Sequence, residues 1–532
     1  MADILTRIVE KRKLDIERLG LEFGFSVPEK RARPVHPFLV NKGVILEVKR
    51  ASPSKGDIAP DLDSAETALS YAQSGASAIS CLTEKNFFKG DLSDLMAVCR
   101  AMDEFESGAS FSELHCGSPA ESGCSAPKCA PAVLRKDFLL SADEIDVSYQ
   151  SGADAVLLIA RILDCDTIVS MAKRAADYQM TSLLEVRSDD DLEKLKLVAS
   201  SVDKKFIVCG VNSRDLATFK IDLLKPCSMM DKIRSILGDG ARVIFESGIR
   251  TVESASFAGS LGFTGMLLGE AAAKNPDIRK SLVQSFVSSS KNANADFWNE
   301  IAVNISGQIG EKSSVSPRPL VKICGITNIQ DARKACELGA DFLGFVFFAK
   351  SPRNVKAETV TLIKKILESV GKKHSKLIGV IVDSQSPEGK EAISLAKEGI
   401  LDAIQLHTIE CARSFLEKPE NRKIAHYAAV NITSSDDIAL LDELFELGEP
   451  RILVDAQTKD CVGGSGKRID SELVTQVLQK QKLWLAGGIS PENIAEVLKE
   501  YSPELVDLSS SLESVPGKKD FSKLESFFAS LG

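Results

Sequence analysis

Acidic and basic side chains lie at the ends of apolar, strand-like runs in the first half of the chain. Glu47 and Lys49 belong to the run VILEVK, and the two-residue period of a strand places both side chains on one face. Burying an acid and a base is costly unless their face lines a site. An edge strand that leaves both charges in water is the alternative, because exposed charges are the commoner case.

Later runs end in the same way. The residues at or just after their ends are Lys136, Glu185, Asn212, Arg214 and Glu246. If these runs are neighbouring strands, at least three carboxylates and two lysines converge, and neighbouring charges push their pKa values apart. That arrangement suits proton transfer. Glycines follow the last two runs, in Ser247-Gly248 and Gly269-Glu270, where backbone N–H groups can hold a phosphate.

The elements that must position these residues alternate between strand and helix. The predicted strands are Val44–Val48, Ser77–Leu82, Ala132–Leu134, Ala155–Ile159, Ser182–Val186, Phe206–Val211, Arg242–Phe245 and Thr264–Leu268. Helical stretches such as Ser64–Ser74 and Asp164–Tyr178 separate them. Eight βα units in roughly 230 residues predict a (β/α)8 barrel, whose active site forms at the carboxyl ends of the strands.

The alternation stops after Phe286 and restarts near Leu320. Eight more strands are predicted at Leu320–Cys324, Phe342–Phe347, Leu377–Val382, Ala403–Gln405, Ile424–Ala428, Ile452–Val454, Leu483–Ala486 and Leu505–Leu508. The prediction is therefore an α/β protein of two tandem (β/α)8 TIM barrels. Residues 1–285 form the first barrel with an extra N-terminal helix, 286–317 a linker with one helix around Phe297–Ile305, and 318–532 the second barrel.

One Ser/Gly-rich stretch, residues 105–128, interrupts the first barrel and predicts a surface loop. It contains His115, Cys116 and Cys124, with Cys129 just beyond. A zinc site is the alternative, but the spacing matches no familiar zinc pattern, so no metal is predicted.

Composition narrows the class of protein further. The chain has 532 residues, a net charge of −9 and twelve cysteines without a disulfide-like framework. The negative charge argues against a nucleic acid or a membrane as partner, and no apolar run is long enough to span a bilayer. Scattered cysteines in a chain of this size favour a reducing compartment. We therefore expect a cytoplasmic monomer that acts on small molecules.

The second half carries a different pair of candidate groups. Cys324 ends its first strand, and Asp455 ends its sixth. A thiolate and a carboxylic acid on opposite sides of a sugar can move a proton between neighbouring carbons. A small buried hydrophobe is the commoner role of such a cysteine. Arg353 is placed to bind a carboxylate bidentately. Candidate anion-binding residues are Gly463, Gly464, Ser465, Gly466, Gly487, Gly488, Ser509 and Ser510.

The motifs EVKRASPSKG, LRKDF, LLEV, GVNSRDL, ESGI and LLGE resemble those of indoleglycerol-phosphate synthase. That family closes a ring on a carboxyphenylamino-deoxyribulose phosphate, with decarboxylation and dehydration and without a cofactor. The resemblance implies that Lys136 is the general acid and that Glu185, beside Glu47, serves the dehydration. Lys49 and Arg214 would hold the carboxylate, and Asn212 and Glu246 would orient hydroxyl groups and Lys136. The implied phosphate and ring contacts are Ser52, Ser247, Gly248, Gly269, Glu270, Phe88 and Phe138.

The motifs KICGIT, GFVFFAKSPRNV, IQLH, LVDAQTKDCVGGSGKRID, LAGGISPEN and VDLSSSLE resemble phosphoribosylanthranilate isomerase. That resemblance implies that Asp455 is the general acid, Cys324 the general base and Arg353 the carboxylate ligand. Gln405 and His407 would line the pocket, although His407 is equally well explained as a structural histidine. Tyr427 stands where relatives often carry Lys, which implies a change at the pocket mouth.

Two other functions fit the same fold. Phosphate-sugar isomerases of the histidine pathway would be expected to use paired strand-end aspartates, whereas the first strands here end with Glu47 and Cys324. A barrel kept as a binding scaffold would be expected to lose catalytic groups, and the motifs above retain theirs.

Overall fold

The computed structural model describes residues 4–108, 130–215, 219–308, 318–369, 375–455 and 470–531. Its contacts divide the chain into two compact units, Met1–Ser290 and Lys291–Gly532.

The first unit is a closed barrel of eight parallel strands. Its strands are β1 (Gly43–Val48), β2 (Ala78–Leu82), β3 (Ala132–Lys136), β4 (Ala155–Ile159), β5 (Thr181–Val186), β6 (Ile207–Asn212), β7 (Val243–Glu246) and β8 (Gly265–Leu268). Successive strands pair in parallel, and β1 closes the barrel against β8. Seven of the eight strands are buried along their whole length, and the end of β3 alone is half-buried, as expected when helices cover a parallel sheet.

One helix precedes the strands of this barrel, and the others follow them. They are α1 (Ile4–Leu19), α2 (Ser64–Gln73), α3 (Leu92–Ser107), α4 (Asp143–Gln150), α5 (Cys165–Asp177), α6 (Asp189–Ser201), α7 (Lys225–Leu237), α8 (Val252–Ser260), α9 (Glu270–Lys274) and α10 (Pro276–Ser288). Polar residues fix several helix starts. Asp91, Ser188 and Thr251 each form a capping box, which satisfies backbone N–H groups that have no partner within the helix.

The second unit is another closed parallel barrel. Its strands are β9 (Leu320–Cys324), β10 (Phe342–Phe347), β11 (Lys376–Ile381), β12 (Ala403–His407), β13 (His426–Asn431), β14 (Ile452–Asp455), β15 (Trp484–Ala486) and β16 (Leu505–Leu508). Its helices are α11 (Ala293–Gln308), α12 (Ile329–Glu337), α13 (Ala357–Ser369), α14 (Pro387–Lys397), α15 (Ile409–Leu416), α16 (Ala439–Glu446), α17 (Ser471–Lys480), α18 (Ile494–Tyr501) and α19 (Phe521–Ala529). The predicted fold class of two tandem (β/α)8 barrels is confirmed.

Helix α11 lies across the amino-terminal ends of alternate strands of the second barrel. The Trp298 ring stacks on that of Trp484 at the start of β15, with centroids 5.4 Å apart. The Asn294 side chain accepts a hydrogen bond from the His426 N–H at the start of β13. These contacts bury Trp298 completely, because the helix closes the end of the barrel opposite the predicted site.

Several element bounds differ from those predicted. The stretch predicted as a linker, 286–317, contains the end of α10 and all of α11, and the helix around Phe297–Ile305 is longer than expected. The predicted insertion begins inside α3, which continues to Ser107, and residues 109–129 lie outside the described residues. Strand β13 begins and ends later than predicted, at His426 and Asn431, because the 3-10 turn at Asn421–Lys423 precedes it.

Among the residues that the structure describes, no helix is long and apolar enough to cross a membrane.

Candidate functional site

The carboxyl ends of the first barrel's strands surround one cavity of about 270 Å³. Thirteen of the fourteen residues predicted for the first site line it: Glu47, Lys49, Ser52, Phe88, Lys136, Phe138, Glu185, Asn212, Arg214, Ser247, Gly248, Gly269 and Glu270. The fourteenth, Glu246, is buried and contacts the Lys136 ammonium. The edge-strand alternative for Glu47 is wrong, because that side chain is 2% exposed.

Lys136 is the centre of the charged cluster. Its Nζ lies 3.3 Å from Glu246 Oε2 and 3.5 Å from Glu47 Oε1. The second Glu47 oxygen lies 2.5 Å from Lys49 Nζ. Burial alone would lower the pKa of Lys136, but Glu246, Glu47 and Glu185 outweigh it and raise that pKa. Lys136 therefore stays positively charged near neutral pH.

The carboxylates around Lys136 differ in their proton affinity. Burial alone would raise the pKa of Glu47, but Lys49 and Lys136 hold it below its usual range. Burial and the neighbouring Glu246 raise the pKa of Glu185 to about 7. Glu47 is therefore ionised near neutral pH, whereas Glu185 is present in both proton states, and such a difference is the usual arrangement for separating acid and base roles.

Two glycines leave room for this cluster. A Cβ at Gly210 on β6 would lie 1.9 Å from Glu246 Oε1, and a Cβ at Gly269 would lie 2.6 Å from Glu47 Oε2. The carboxylates occupy the space that side chains would take at these positions.

An apolar wall and a turn complete the first site. The rings of Phe88 and Phe138 have centroids 6.0 Å apart, and Leu157 and Ile159 line the same cavity. Ser247, at φ 69°, has left-handed backbone geometry that is uncommon for a residue with a side chain. Strain of this kind is concentrated at functional turns.

Sequence reasoning missed part of this site. Ile4, Leu5 and Ile8 of the leading helix α1 line the cavity, as do Arg250 and Lys274. The amphipathic pattern of α1 indicated a helix, but its packing partner is distant in sequence and left no local signal.

The second barrel brings together another set of predicted residues. Cys324 is buried at the end of β9, and burial raises the pKa of its thiol, an effect that the nearby Lys322 partly offsets. Burial and then Asp507 raise the pKa of Asp455 to about 6. Both groups therefore titrate away from their usual ranges, as candidate catalytic groups often do.

The other predicted residues of the second site differ in their surroundings. Gln405 Oε1 accepts a hydrogen bond from the Tyr427 hydroxyl at 3.0 Å. His407 lines a cavity of about 180 Å³, where burial lowers its pKa and keeps it neutral. Arg353 is engaged by Glu513, with Nη2 2.6 Å from Oε2. Tyr427 is 1% exposed inside the barrel, so the expectation that it shapes the pocket mouth is wrong.

The predicted anion-binding residues that the structure describes lie on two turns. Gly487 and Gly488 follow β15 with positive φ, and Asn493 donates to the Gly488 carbonyl. Ser509 and Ser510 follow β16 at a 3-10 turn. The predicted loop residues Gly463, Gly464, Ser465 and Gly466 lie outside the described residues.

Lys519 is a second residue that sequence reasoning missed. Its buried ammonium donates to the carbonyls of Cys324 at 2.6 Å and Ser509 at 3.1 Å, and it lies 3.1 Å from Glu513 Oε1. It thereby ties the ends of the first and last strands of the second barrel together.

Two closed parallel barrels, with polar and charged side chains and glycine turns at the carboxyl ends of their strands, define the class of (β/α)8-barrel enzymes. Within that class, the chain belongs to the indole-3-glycerol phosphate synthase family, whose model matches residues 5–284. The model of N-(5'-phosphoribosyl)anthranilate (PRA) isomerase matches residues 321–530.

Proteins with both parts are similar over most of the chain. A multifunctional tryptophan biosynthesis protein of Schizosaccharomyces pombe is 28% identical, over 98% of this chain and 65% of that protein. The chain thus spans slightly less than two thirds of that relative. The tryptophan biosynthesis protein TrpCF of Haemophilus influenzae is 27% identical, over 91% of this chain and 86% of that protein.

One solved structure is similar to part of the chain. Phosphoribosyl anthranilate isomerase of Thermotoga maritima is 32% identical, over 40% of this chain and 98% of that protein, with a TM-score of 0.34.

Proposed function

We propose that the chain is a bifunctional enzyme of tryptophan biosynthesis. Its second barrel isomerises N-(5-phosphoribosyl)anthranilate to the carboxyphenylamino-deoxyribulose phosphate. Its first barrel converts that product to indoleglycerol phosphate by ring closure, decarboxylation and dehydration. The observation that carries the proposal is Lys136, which lies between Glu47 and Glu246 below a cavity with an aromatic wall.

In the first site, the charged Lys136 polarises the ribulose carbonyl during ring closure. Glu185 then serves the dehydration, because a carboxyl with a pKa of about 7 can both give and take a proton near neutrality. Lys49 and Arg214 hold the carboxylate that leaves as carbon dioxide. Phe88 and Phe138 pack on the anthranilate ring.

The remaining residues of the first site orient and hold the substrate. Asn212 and Glu246 orient hydroxyl groups and Lys136. The phosphate binds at Ser52, Ser247, Gly248, Gly269 and the amide of Glu270.

In the second site, Asp455 opens the furanose as general acid and Cys324 removes the C2 proton as general base. Arg353 binds the anthranilate carboxylate. Because Glu513 already engages its Nε and Nη2, the carboxylate approaches through Nη1. Gln405 and His407 line this pocket. The phosphate ligands are the glycine loop 463–466, Gly487, Gly488, Ser509 and Ser510.

The proposal extends to the setting of the enzyme. It acts on small phosphorylated substrates as a monomer in the cytoplasm, without cofactor or metal. The eight cysteines within the described residues are free thiols, which supports a reducing compartment.

A fluorescence time course tests both activities. Phosphoribosylanthranilate generated in place should pass from anthranilate-type to indole-type emission without added cofactor or metal. Lys136→Ala should abolish the synthase step and spare the isomerase step, and Cys324→Ala should do the reverse. The synthase step of the Cys324 variant is assayed with the carboxyphenylamino-deoxyribulose phosphate supplied directly, because that variant does not make it. Loss of both activities in either variant would contradict the two-site proposal.

A further inference from the structure

A lysine is completely buried beneath the candidate base of the second barrel. Lys322 precedes Cys324 by two positions on β9, so both side chains point to the barrel interior. Lys322 Nζ lies 2.5 Å from Asp507 Oδ2 on the neighbouring strand β16. A Cβ placed at Gly344 would lie 2.7 Å from Cys324 Sγ and 3.1 Å from Lys322 Cε, so the lysine side chain passes close to the sulfur. Its charge partly offsets the rise that burial causes in the pKa of the Cys324 thiol.

Asp507 faces the candidate acid on its other side. The strand register aligns Asp455 with Ala486, Ala486 with Asp507, and Asp507 with Lys322. Within the described part of the chain, Asp507 Oδ1 and Asp455 Oδ1 are buried without hydrogen-bond partners. A buried carboxylate oxygen without a partner repels a second negative charge strongly, because the surrounding dielectric is low.

We propose that the Lys322–Asp507 ion pair is a positioning pair of the isomerase site, in which Lys322 favours the thiolate of Cys324 and Asp507 favours the protonated form of Asp455. This inference rests on the proposed isomerase function. The same ion pair thus favours the deprotonated form of the base, Cys324, and the protonated form of the acid, Asp455.

The proton-transfer step requires those two states together. The C2–H bond breaks, and its proton forms the S–H bond of Cys324. Its electron pair becomes the C1–C2 double bond, while the protonated imine nitrogen takes up the former C=N pair. Asp455 supplies the proton that opened the ring, and its carboxylate is left behind.

The combination that the reaction needs is a Cys324 thiolate together with a protonated Asp455. Only a minority of resting molecules carry it. Burial raises the pKa of the Cys324 thiol, while the pKa of Asp455 is about 6, so near neutrality most molecules carry a thiol and a carboxylate. Any charge that lowers the pKa of Cys324 or raises the pKa of Asp455 increases the fraction of molecules in this active combination. Within the described residues, Arg353, Tyr427 and Lys519 also interact electrostatically with Cys324, and His407 interacts with Lys322 and Asp507.

The test measures the thiol directly in the full chain. Iodoacetamide labelling of the Cys324 peptide is followed against pH by mass spectrometry. Lys322→Met should move the labelling profile about one pH unit upward, because a cation in contact stabilises a thiolate by that order. Asp507→Asn should move it downward, since Lys322 then acts on the thiolate without its counter-ion.

Kinetics of the isomerase half-reaction give the second readout. Lys322→Met should lower kcat more than it changes KM. It should also move the alkaline limb of the isomerase pH–rate profile to higher pH. Asp507→Asn should move the acidic limb of the same profile to lower pH. The matched control is Glu449→Gln, which breaks the buried His426–Glu449 pair at the amino-terminal end of the same barrel and should move neither limb.

The outcomes separate the two proposals. Unchanged labelling profiles in both charge variants would overturn the positioning role. If the wild-type chain had no isomerase activity but the charge variants still shifted the labelling profile of Cys324, the effect of the ion pair on the thiol would stand. The proposed function would then be contradicted. If Lys322→Met does not fold, the double variant Lys322→Met/Asp507→Leu leaves no unpaired buried charge and should still raise the labelling profile.

Discussion

Arg12 Nη1 lies 2.6 Å from Asp137 Oδ1, so the leading helix α1 is tied to the residue that follows Lys136. The same guanidinium contacts Glu144 at the start of α4, and Thr83 donates to the other Asp137 oxygen at 2.5 Å. All of these groups except Thr83 are charged, and they are almost fully buried. The position of Lys136 in the first site therefore depends on a helix that precedes the barrel.

Replacing Arg12 with Met should destabilise the first unit by about 3–5 kcal/mol, because Asp137 and Glu144 lose a buried partner. Synthase kcat/KM should fall, and isomerase activity should not change. Urea unfolding and separate assays of the two steps measure this. Arg18→Ala is the control, since that side chain is 69% exposed. Full synthase activity in a destabilised Arg12 variant would show that α1 contributes stability alone.

Gly210→Ala should reduce synthase activity with little effect on isomerase activity. The new Cβ would lie 1.9 Å from Glu246 Oε1, so the carboxylate must move away from Lys136. Gly240→Ala is the matched control, because nothing lies within 4 Å of a Cβ there. Comparing kcat/KM of the two variants tests the contact. Equal activities would mean that Glu246 adjusts without disturbing Lys136.

Glu185→Gln should remove the limb near pH 7 from the synthase pH profile, because an amide does not titrate. Activity itself should fall about 10²–10⁴-fold, the usual contribution of a positioned acid or base. Residual activity measured from pH 5 to pH 9 checks both effects. A limb near pH 7 that persists in the variant would assign it to another group.

The same substitution should affect stability in a pH-dependent way. The folded state raises the pKa of Glu185 from 4.5 to about 7, so the folded protein binds the proton more tightly than the unfolded chain. The wild type therefore loses stability as pH rises from about 4.5 to about 7, by an amount on the order of 1–3 kcal/mol. The variant should lack this loss, and chemical unfolding at pH 5 and pH 8 measures the difference.

Trp298→Ala should destabilise the second unit by about 3–5 kcal/mol, because its ring fills the amino-terminal end of the barrel against Trp484. Isomerase activity should be lost at a lower temperature, and synthase activity should survive. Val303→Ala on the same helix is the control, since Val303 is 40% exposed. Equal inactivation temperatures for the two variants would contradict a packing role for α11.

Local patterns predicted both barrels and the residues of the first site. Apolar runs that end in charge are a local signal, and barrel closure alone brings Glu47, Lys136 and Glu185 together. Arg12, Lys322 and Lys519 could not be assigned in the same way. The hydrogen bonds from Arg12 to Asp137, from Lys322 to Asp507 and from Lys519 to the Cys324 carbonyl each join residues 125 or more positions apart, so no sequence spacing identifies these pairs.

The helix α11 was predicted only in part for a related reason. The sequence on either side of α11 is polar. The helix is buried by aromatic contacts with Tyr427 and Trp484, which lie far along the chain. Arg353 was predicted as a carboxylate ligand, and its engagement by Glu513 likewise depends on a distant residue.

The aromatic contacts of α11 also indicate where the two barrels can be separated into fragments. A fragment that starts at residue 318 would contain the whole family match, yet it would expose the rings of Tyr427 and Trp484 to solvent. Such a fragment is expected to aggregate or express poorly, because an apolar barrel end without its cover is a site of association. A fragment that starts at Lys291 retains the cover, because the second compact unit begins upstream of that barrel's first strand.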